Sequence, residues 1–381
     1  MTQATASVPP LRWRDYLIVR DDAFSQFWAS HLAERNRSLL FVCGKGFDPR
    51  TCIALRIIAE RANSALKETV VLEYEEGDGA HNQALRDKVT KNWQEIEALI
   101  SGKGVCTTHK LEFRTADGRR VGARNAANVF SDETKLAAFS DVVVDISAMP
   151  RSVYFPLISR LLFFHDQLKA KSQNAPNIHV VVAEDPVLDV QIREEGVDET
   201  ASFLHSFEGD FNREATGEQP RVWIPVLGEG RTTQFDRIYD LVKPDEICPV
   251  LPSPSRNPRR GDDIVMEYRD LLFDQLQLDP RNIIYASEFN PFEVYRQIRK
   301  AAIQYHEVLG LIGGCKIALT ALCSKLMSLG VLLVGYELKA ANSLQIGIAH
   351  IECQGYNMPD SVVPNPQPVG LWLAGECYGQ H

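Results

Sequence analysis

The chain has none of the short spacings by which metal and nucleophile chemistry is commonly recognised. Its nine histidines form neither His-x-x-x-His nor His-Glu-x-x-His, so the familiar helical zinc signature is missing. Its eight cysteines include no Cys-x-x-Cys pair, which removes zinc-ribbon and thioredoxin-like motifs. Each histidine is expected to be structural, and no metal site is expected. There is no Gly-x-Ser-x-Gly nucleophile elbow, no Walker A loop and no Gly-x-Gly-x-x-Gly fingerprint. Long apolar runs are also missing. The longest, around Leu326 to Tyr336, is broken by Ser328 and Gly330 and is too short to span a bilayer. Met1 to Pro10 has no basic start and no apolar stretch, so no signal peptide is expected there. An excess of positive charge is missing too. With 41 basic and 50 acidic residues the net charge is −9, which disfavours a general nucleic-acid binder without excluding local basic patches.

What is present is a pattern that occurs twice. Leu39–Cys43 reads as a buried strand, Gly44-Lys45-Gly46-Phe47-Asp48 as a glycine turn, and Pro49-Arg50 as a helix start. Val222–Leu227 followed by Gly228-Glu229-Gly230-Arg231-Thr232-Thr233 reads the same way. Later in each half a second strand-turn-helix unit follows, Val142–Ile146 before Ser147-Ala148-Met149-Pro150-Arg151 and Lys316–Leu322 before Cys323-Ser324-Lys325. Strands alternating with helices imply βαβ units. The expected fold is α/β, with two Rossmann-like halves arising from an apparent internal duplication, each a mostly parallel sheet flanked by helices. Leu39–Cys43 and Val222–Leu227 should occupy equivalent places.

The expected organisation is a leader and amphipathic aromatic helix over 1–36, a first half over 37–185, and an acidic linker over 186–220. A second half covers 221–358 and a proline-containing tail with little regular structure covers 359–381. The aromatic segment, with Trp13, Tyr16, Phe24, Phe27 and Trp28, suits packing on a neighbouring element or on a protein partner. Cysteines inside apolar runs, Cys43 and Cys323 among them, read as buried free thiols in a reducing cytoplasm.

The turns are the candidate sites, because open α/β sheets bind ligands beyond the carboxyl ends of their strands. In the first half, Gly44 and Gly46 would let a ligand approach the backbone, Asp48 would cap the helix, and Lys45 and Arg50 would add charge. Gly228, Gly230, Arg231 and Thr232 are the counterparts. Arg256, Arg259 and Arg260 sit in a proline-stiffened loop, Pro252-Ser253-Pro254-Ser255-Arg256-Asn257-Pro258-Arg259-Arg260, which follows a strand and suits an anion. Ser147 and Arg151, with Ser324 and Lys325, supply hydroxyls, backbone donors and cations at the second turns. For every one of these sets a plain capped helix start or a solvated basic loop is the competing reading. Carboxylates at strand ends, Glu73, Asp145, Glu184 and Glu288, could serve a hydrolase as a base; Glu75, Glu76 and Asp78 follow the same strand as Glu73.

The Ser324-Lys325-Leu326-Met327 turn after an apolar strand resembles the Gly-Gly-Thr-Lys-x-Met turn of CRISPR-associated Rossmann-fold sensor domains, with Cys323-Ser324 standing where that family has Gly-Thr. The resemblance implies contact with a nucleotide, in that family a cyclic oligonucleotide, and a setting in bacterial antiviral defence. The leading expectation is a soluble binding or sensing protein for an anionic, nucleotide-like small molecule, with no cofactor assigned. The alternatives are a nucleotide-processing glycosidase or phosphohydrolase and a scaffold subunit.

Overall fold

The computed structural model describes residues 10–34, 36–62, 64–74, 83–194, 196–211, 219–340, 344–358 and 365–378. Glu75, Glu76, Asp78, the first nine residues of the leader and His81 lie outside them. In chain order the elements begin with β1 (Leu17–Arg20), α1 (Asp21–Ala33), β2 (Leu39–Lys45), α2 (Ile53–Ala62), β3 (Leu66–Tyr74), α3 (Gln83–Ile100), β4 (Val105–Leu111) and α4 (Gly122–Ala127). Next come β5 (Asp141–Asp145), α5 (Arg151–Ala170), β6 (Asn177–Glu184), α6 (Pro186–Gln191), β7 (Arg193–Glu194) and β8 (Ser202–Phe203). Then follow β9 (Arg221–Val226), α7 (Thr232–Val242), β10 (Glu246–Ile247), β11 (Val250–Pro252), α8 (Arg260–Glu267), β12 (Ile284–Ala286) and α9 (Pro291–Leu309). The last are β13 (Lys316–Ala321), α10 (Lys325–Ala340), β14 (Gln345–His350), β15 (Tyr356–Asn357) and β16 (Gln367–Ala374).

The chain divides into two compact units. The first comprises Asp15–Gly196 with Cys353–His381, and the second comprises Val197–Glu352 with the residues up to Arg14. The first unit's sheet runs β1-β16-β6-β5-β2-β3-β4. Its stretch from β4 to β6 is parallel throughout, and β16 and β1 add antiparallel strands beyond β6. The second unit's sheet runs β12-β11-β9-β13-β14-β8, parallel except for β8. Counting strands from β2 in one unit and β9 in the other, and setting aside the two-residue β10 that pairs parallel with β9, both parallel stretches have the order 3-2-1-4-5. The fold is therefore α/β with two Rossmann-like halves, and β2 and β9 hold the same central place, as their repeated sequences imply.

Central parallel strands are covered by helices on both faces and read as unbroken apolar runs. Leu39, Leu40, Phe41 and Val42 of β2 are fully buried, as are Val222, Trp223 and Ile224 of β9. Each such side chain contributes about 1.5–3 kcal/mol of burial free energy. Trp223 also satisfies its indole by donating to Thr320 Oγ1 at 2.9 Å. Cys43 and Cys323 are buried free thiols, and burial pushes the Cys43 thiol well above its ordinary pKa.

Two expectations need correction. The tail read as having little regular structure carries β16, an eight-residue strand set between β1 and β6. Its run Val369-Gly370-Leu371-Trp372-Leu373 is buried, and that burial outweighs the neighbouring prolines. The aromatic segment is not one helix. It breaks into β1 and α1, and Phe24 and Trp28 are buried in a core shared with Phe41, Leu55 and Ile58. Trp13, in the second unit, is buried edge-on against Tyr295 with ring centroids 5.2 Å apart. The apolar face is used within the chain. The acidic linker holds α6, β7 and β8 among its described residues, β7 pairing with β15 and β8 with β14.

Candidate functional site

In both sheets the strand order reverses between the first and fourth parallel strands, β2 and β5 in one and β9 and β13 in the other. A ligand crevice is expected beyond the carboxyl ends there.

In the first unit that crevice is filled. Tyr74, the last residue of β3, leans over β2 and donates its hydroxyl proton to the carbonyl of Ala148 in the turn after β5. A Cβ added to Gly44 would lie 2.6 Å from Tyr74 Oη and 3.2 Å from Met149 Cγ, and one added to Gly46 would lie 3.0 Å from Ala148 Cβ. These glycines admit the packing of one turn on the other. Asp48 caps the short 3-10 helix Pro49–Cys52, accepting from Arg50 N at 2.9 Å. The same carboxylate takes the Arg50 guanidinium through Nε and Nη2, at 3.0 and 2.7 Å, while Arg50 Nη1 lies 2.7 Å from Asp189 Oδ1. Burial opposes the Arg50 charge, but Asp48 and Asp189 outweigh it and raise its pKa. Lys45 Nζ is 2.8 Å from Glu73 Oε1 and sits over the Trp93 ring. Ser147 is buried; its Oγ accepts from Ala183 N of β6 at 2.8 Å, and its N donates to Asp145 Oδ1. Arg151 opens α5 after Pro150 at the cap.

In the second unit the turns also meet. A Cβ on Gly228 would lie 2.6 Å from Leu322 O and 3.2 Å from Cys323 Cα, so Gly228 serves close backbone packing. Gly230 differs: its φ is +70°, nothing stands within 4 Å of an added Cβ, and its N donates to Glu267 Oε1 at 2.8 Å. Arg231 stands at the N-cap position of α7 without a side-chain capping bond, and Thr232 begins the helix, both half-buried. Arg260 is held by two carboxylates. Its Nε and Nη2 donate to Glu229 at 2.7 and 2.8 Å, and its Nη1 is 3.1 Å from Glu288 Oε1. Burial opposes its charge, but Glu229 and Glu288 prevail and raise its pKa. Glu288 Oε2 also accepts from Arg256 N at 3.2 Å. Loops following β9, β11 and β12 are thereby tied together. The side chains of Arg256 and Arg259 are exposed and form no ion pair among the described residues. Ser324 Oγ accepts from Met327 N at 3.3 Å, and Lys325 opens α10.

The structure therefore gathers Gly228, Glu229, Gly230, Arg231, Thr232, Arg256, Arg259, Arg260, Ser324 and Lys325 at one edge of the second sheet. In the first unit it gathers Gly44 to Arg50 with Ser147 and Arg151, but Lys45, Arg50 and Ser147 are engaged by Glu73, by Asp48 and Asp189, and by Ala183. Sequence reasoning missed Tyr74, Glu229 and the part Glu288 plays. The strand-end position of Tyr74 and Glu288 was legible, but their partners lie in other turns. No family model matches the chain, and no curated protein matches its sequence.

Proposed function

We propose that the chain is a binding or sensing module for an anionic, nucleotide-type small molecule, held at the carboxyl edge of the second unit's sheet. One observation carries the reading. Arg256 and Arg259 are exposed without an ion pair among the described residues, in a loop that Arg260 anchors to Glu229 and Glu288 beside the strand-order reversal. An anchored loop presenting guanidiniums is preorganised for phosphate, because the ordering entropy is already lost in folding. Gly230, Arg231 and Thr232 at the start of α7, with Ser324 and Lys325 at the start of α10, add backbone and side-chain donors of the kind anions take at helix starts. The resemblance of the Ser324-Lys325-Leu326-Met327 turn to CRISPR-associated sensor domains favours a nucleotide over a simple anion, and cytoplasmic antiviral defence as the setting.

A hydrolase reading finds less support. Glu73 is paired with Lys45 and Glu288 with Arg260, while Asp145 is buried beneath its own turn. The test is mass spectrometry of small molecules released from the purified chain, followed by calorimetry with the nucleotide found. Wild-type binding that disappears in the R256E/R259E double variant, with unchanged melting, supports the reading. Binding that survives the double reversal overturns the assignment to this edge.

A further inference from the structure

At the amino end of the first unit's strands, away from the carboxyl-edge turns, three side chains converge that no sequence spacing links. His31 lies in the last turn of α1, Asp141 is the first residue of β5, and His179 is the third residue of β6. The parallel register pairs Asp141 with Asn177 and Val143 with His179, so Asp141 and His179 are diagonal neighbours on one face. His31 Nε2 is 2.7 Å and His179 Nε2 is 3.1 Å from the same Asp141 Oδ1. The three ligand atoms lie within 4.8 Å of one another, and all three residues are buried. We propose that His31, Asp141 and His179 bind a divalent transition-metal ion of the zinc class, which staples α1 to the sheet.

Two imidazoles and one carboxylate are donors that suit Zn²⁺ and its neighbours in the series. The surrounding groups hold the carboxylate in place. Asn177 Nδ2 donates to Asp141 Oδ1 at 3.0 Å, Ser140 Oγ donates to Oδ2 at 2.6 Å, and Arg37 Nη1 stands 3.6 Å from Oδ2. Such outer contacts orient metal ligands. Arg37 also pairs with the exposed carboxylates of Glu34 and Glu376. Phe27 stacks on His31 with centroids 5.1 Å apart, and Trp372 packs against both imidazoles. Trp28 packs edge-on against both as well, and its Nε1 is buried without a hydrogen-bond partner among the described residues. Buried donors of this kind are normally satisfied.

The test uses the full chain, stripped with a chelator, desalted, and then given Zn²⁺ or Co²⁺ alone. Elemental analysis after gel filtration should find one ion per chain above the count held by His31→Gln, and melting should rise with free Zn²⁺ in the wild type only. Because eight cysteines could also take metal, the difference between wild type and variant is the deciding quantity. His31→Gln keeps a donor toward Asp141 and should fold; His179→Asn, checked by far-UV circular dichroism, should give the same loss. A wild type that holds no ion and does not gain thermal stability from Zn²⁺ overturns the proposal and leaves a hydrogen-bonded clasp. Equal occupancy in wild type and both folded variants also overturns it, by placing the ion elsewhere.

Discussion

The carboxyl edges of the two sheets begin from the same sequence device and put it to different use. Each has a glycine turn after its first parallel strand, a second turn after its fourth, and cations beside both. In the first unit the cations face inward: Arg50 is buried between Asp48 and Asp189, and Tyr74 covers the crevice. In the second unit one arginine, Arg260, anchors the loop and two others, Arg256 and Arg259, remain at the surface. The difference teaches that a cation next to a strand-end glycine is not evidence of a ligand site until its counter-charge is located. A guanidinium neutralised by two carboxylates already has its anions.

The comparison can be broken most sharply at Arg50. Replacing it with alanine should destabilise the first unit by about 3–5 kcal/mol, because Asp48 stays buried without its partner. Chemical denaturation would measure this, and a loss under about 1 kcal/mol would mean that the buried pair is not the structural element described. Next in size is Gly228→Ala, whose methyl would press on the backbone of Leu322 and Cys323. Overpacking of that kind costs about 1–3 kcal/mol. Gly44→Ala meets the movable end of Tyr74 first and should cost less, and the reverse ranking in thermal melts would contradict the packing of the two turns. Tyr74→Phe removes the bond to Ala148 O and should cost about 0.5–1.5 kcal/mol. If the crevice beneath Tyr74 is a ligand site instead, the same change should alter ligand affinity in calorimetry. The smallest stability change is expected for Arg256→Ala with Arg259→Ala, under about 0.5 kcal/mol, since both side chains are exposed. Their effect should appear in nucleotide affinity, which should fall roughly tenfold or more for each charge-assisted hydrogen bond to phosphate that is removed.

Much of the fold was legible from the chain alone, because strand and helix periodicity are local properties. The runs Leu39–Cys43 and Val222–Leu227 could be nothing other than buried segments, and the glycine turns that follow them marked the places where strand gives way to helix. The candidate edge was legible for the same reason: Arg256, Arg259 and Arg260 cluster within one short loop. The strand in the C-terminal segment was not legible. Gln367–Ala374 follows a proline-containing stretch and gains its structure from pairing with β6 and β1, which are distant in sequence. Nor was the separation of Arg260 from its two neighbours, since Glu229 and Glu288 lie 31 and 28 residues away and only the sheet brings them together.

The sequence by itself determined the alternation of strands and helices, the duplication, the equivalent places of β2 and β9, and the buried state of Cys43 and Cys323. Each follows from apolar periodicity and from turn residues acting over a few positions. Tertiary structure alone decided which cations are neutralised by internal carboxylates, that Tyr74 closes one crevice, and that His31, Asp141 and His179 meet. Those outcomes depend on pairing and packing between residues far apart in the sequence, 110 positions for His31 with Asp141 and 139 for Arg50 with Asp189. At such distances composition and spacing carry no information about contact.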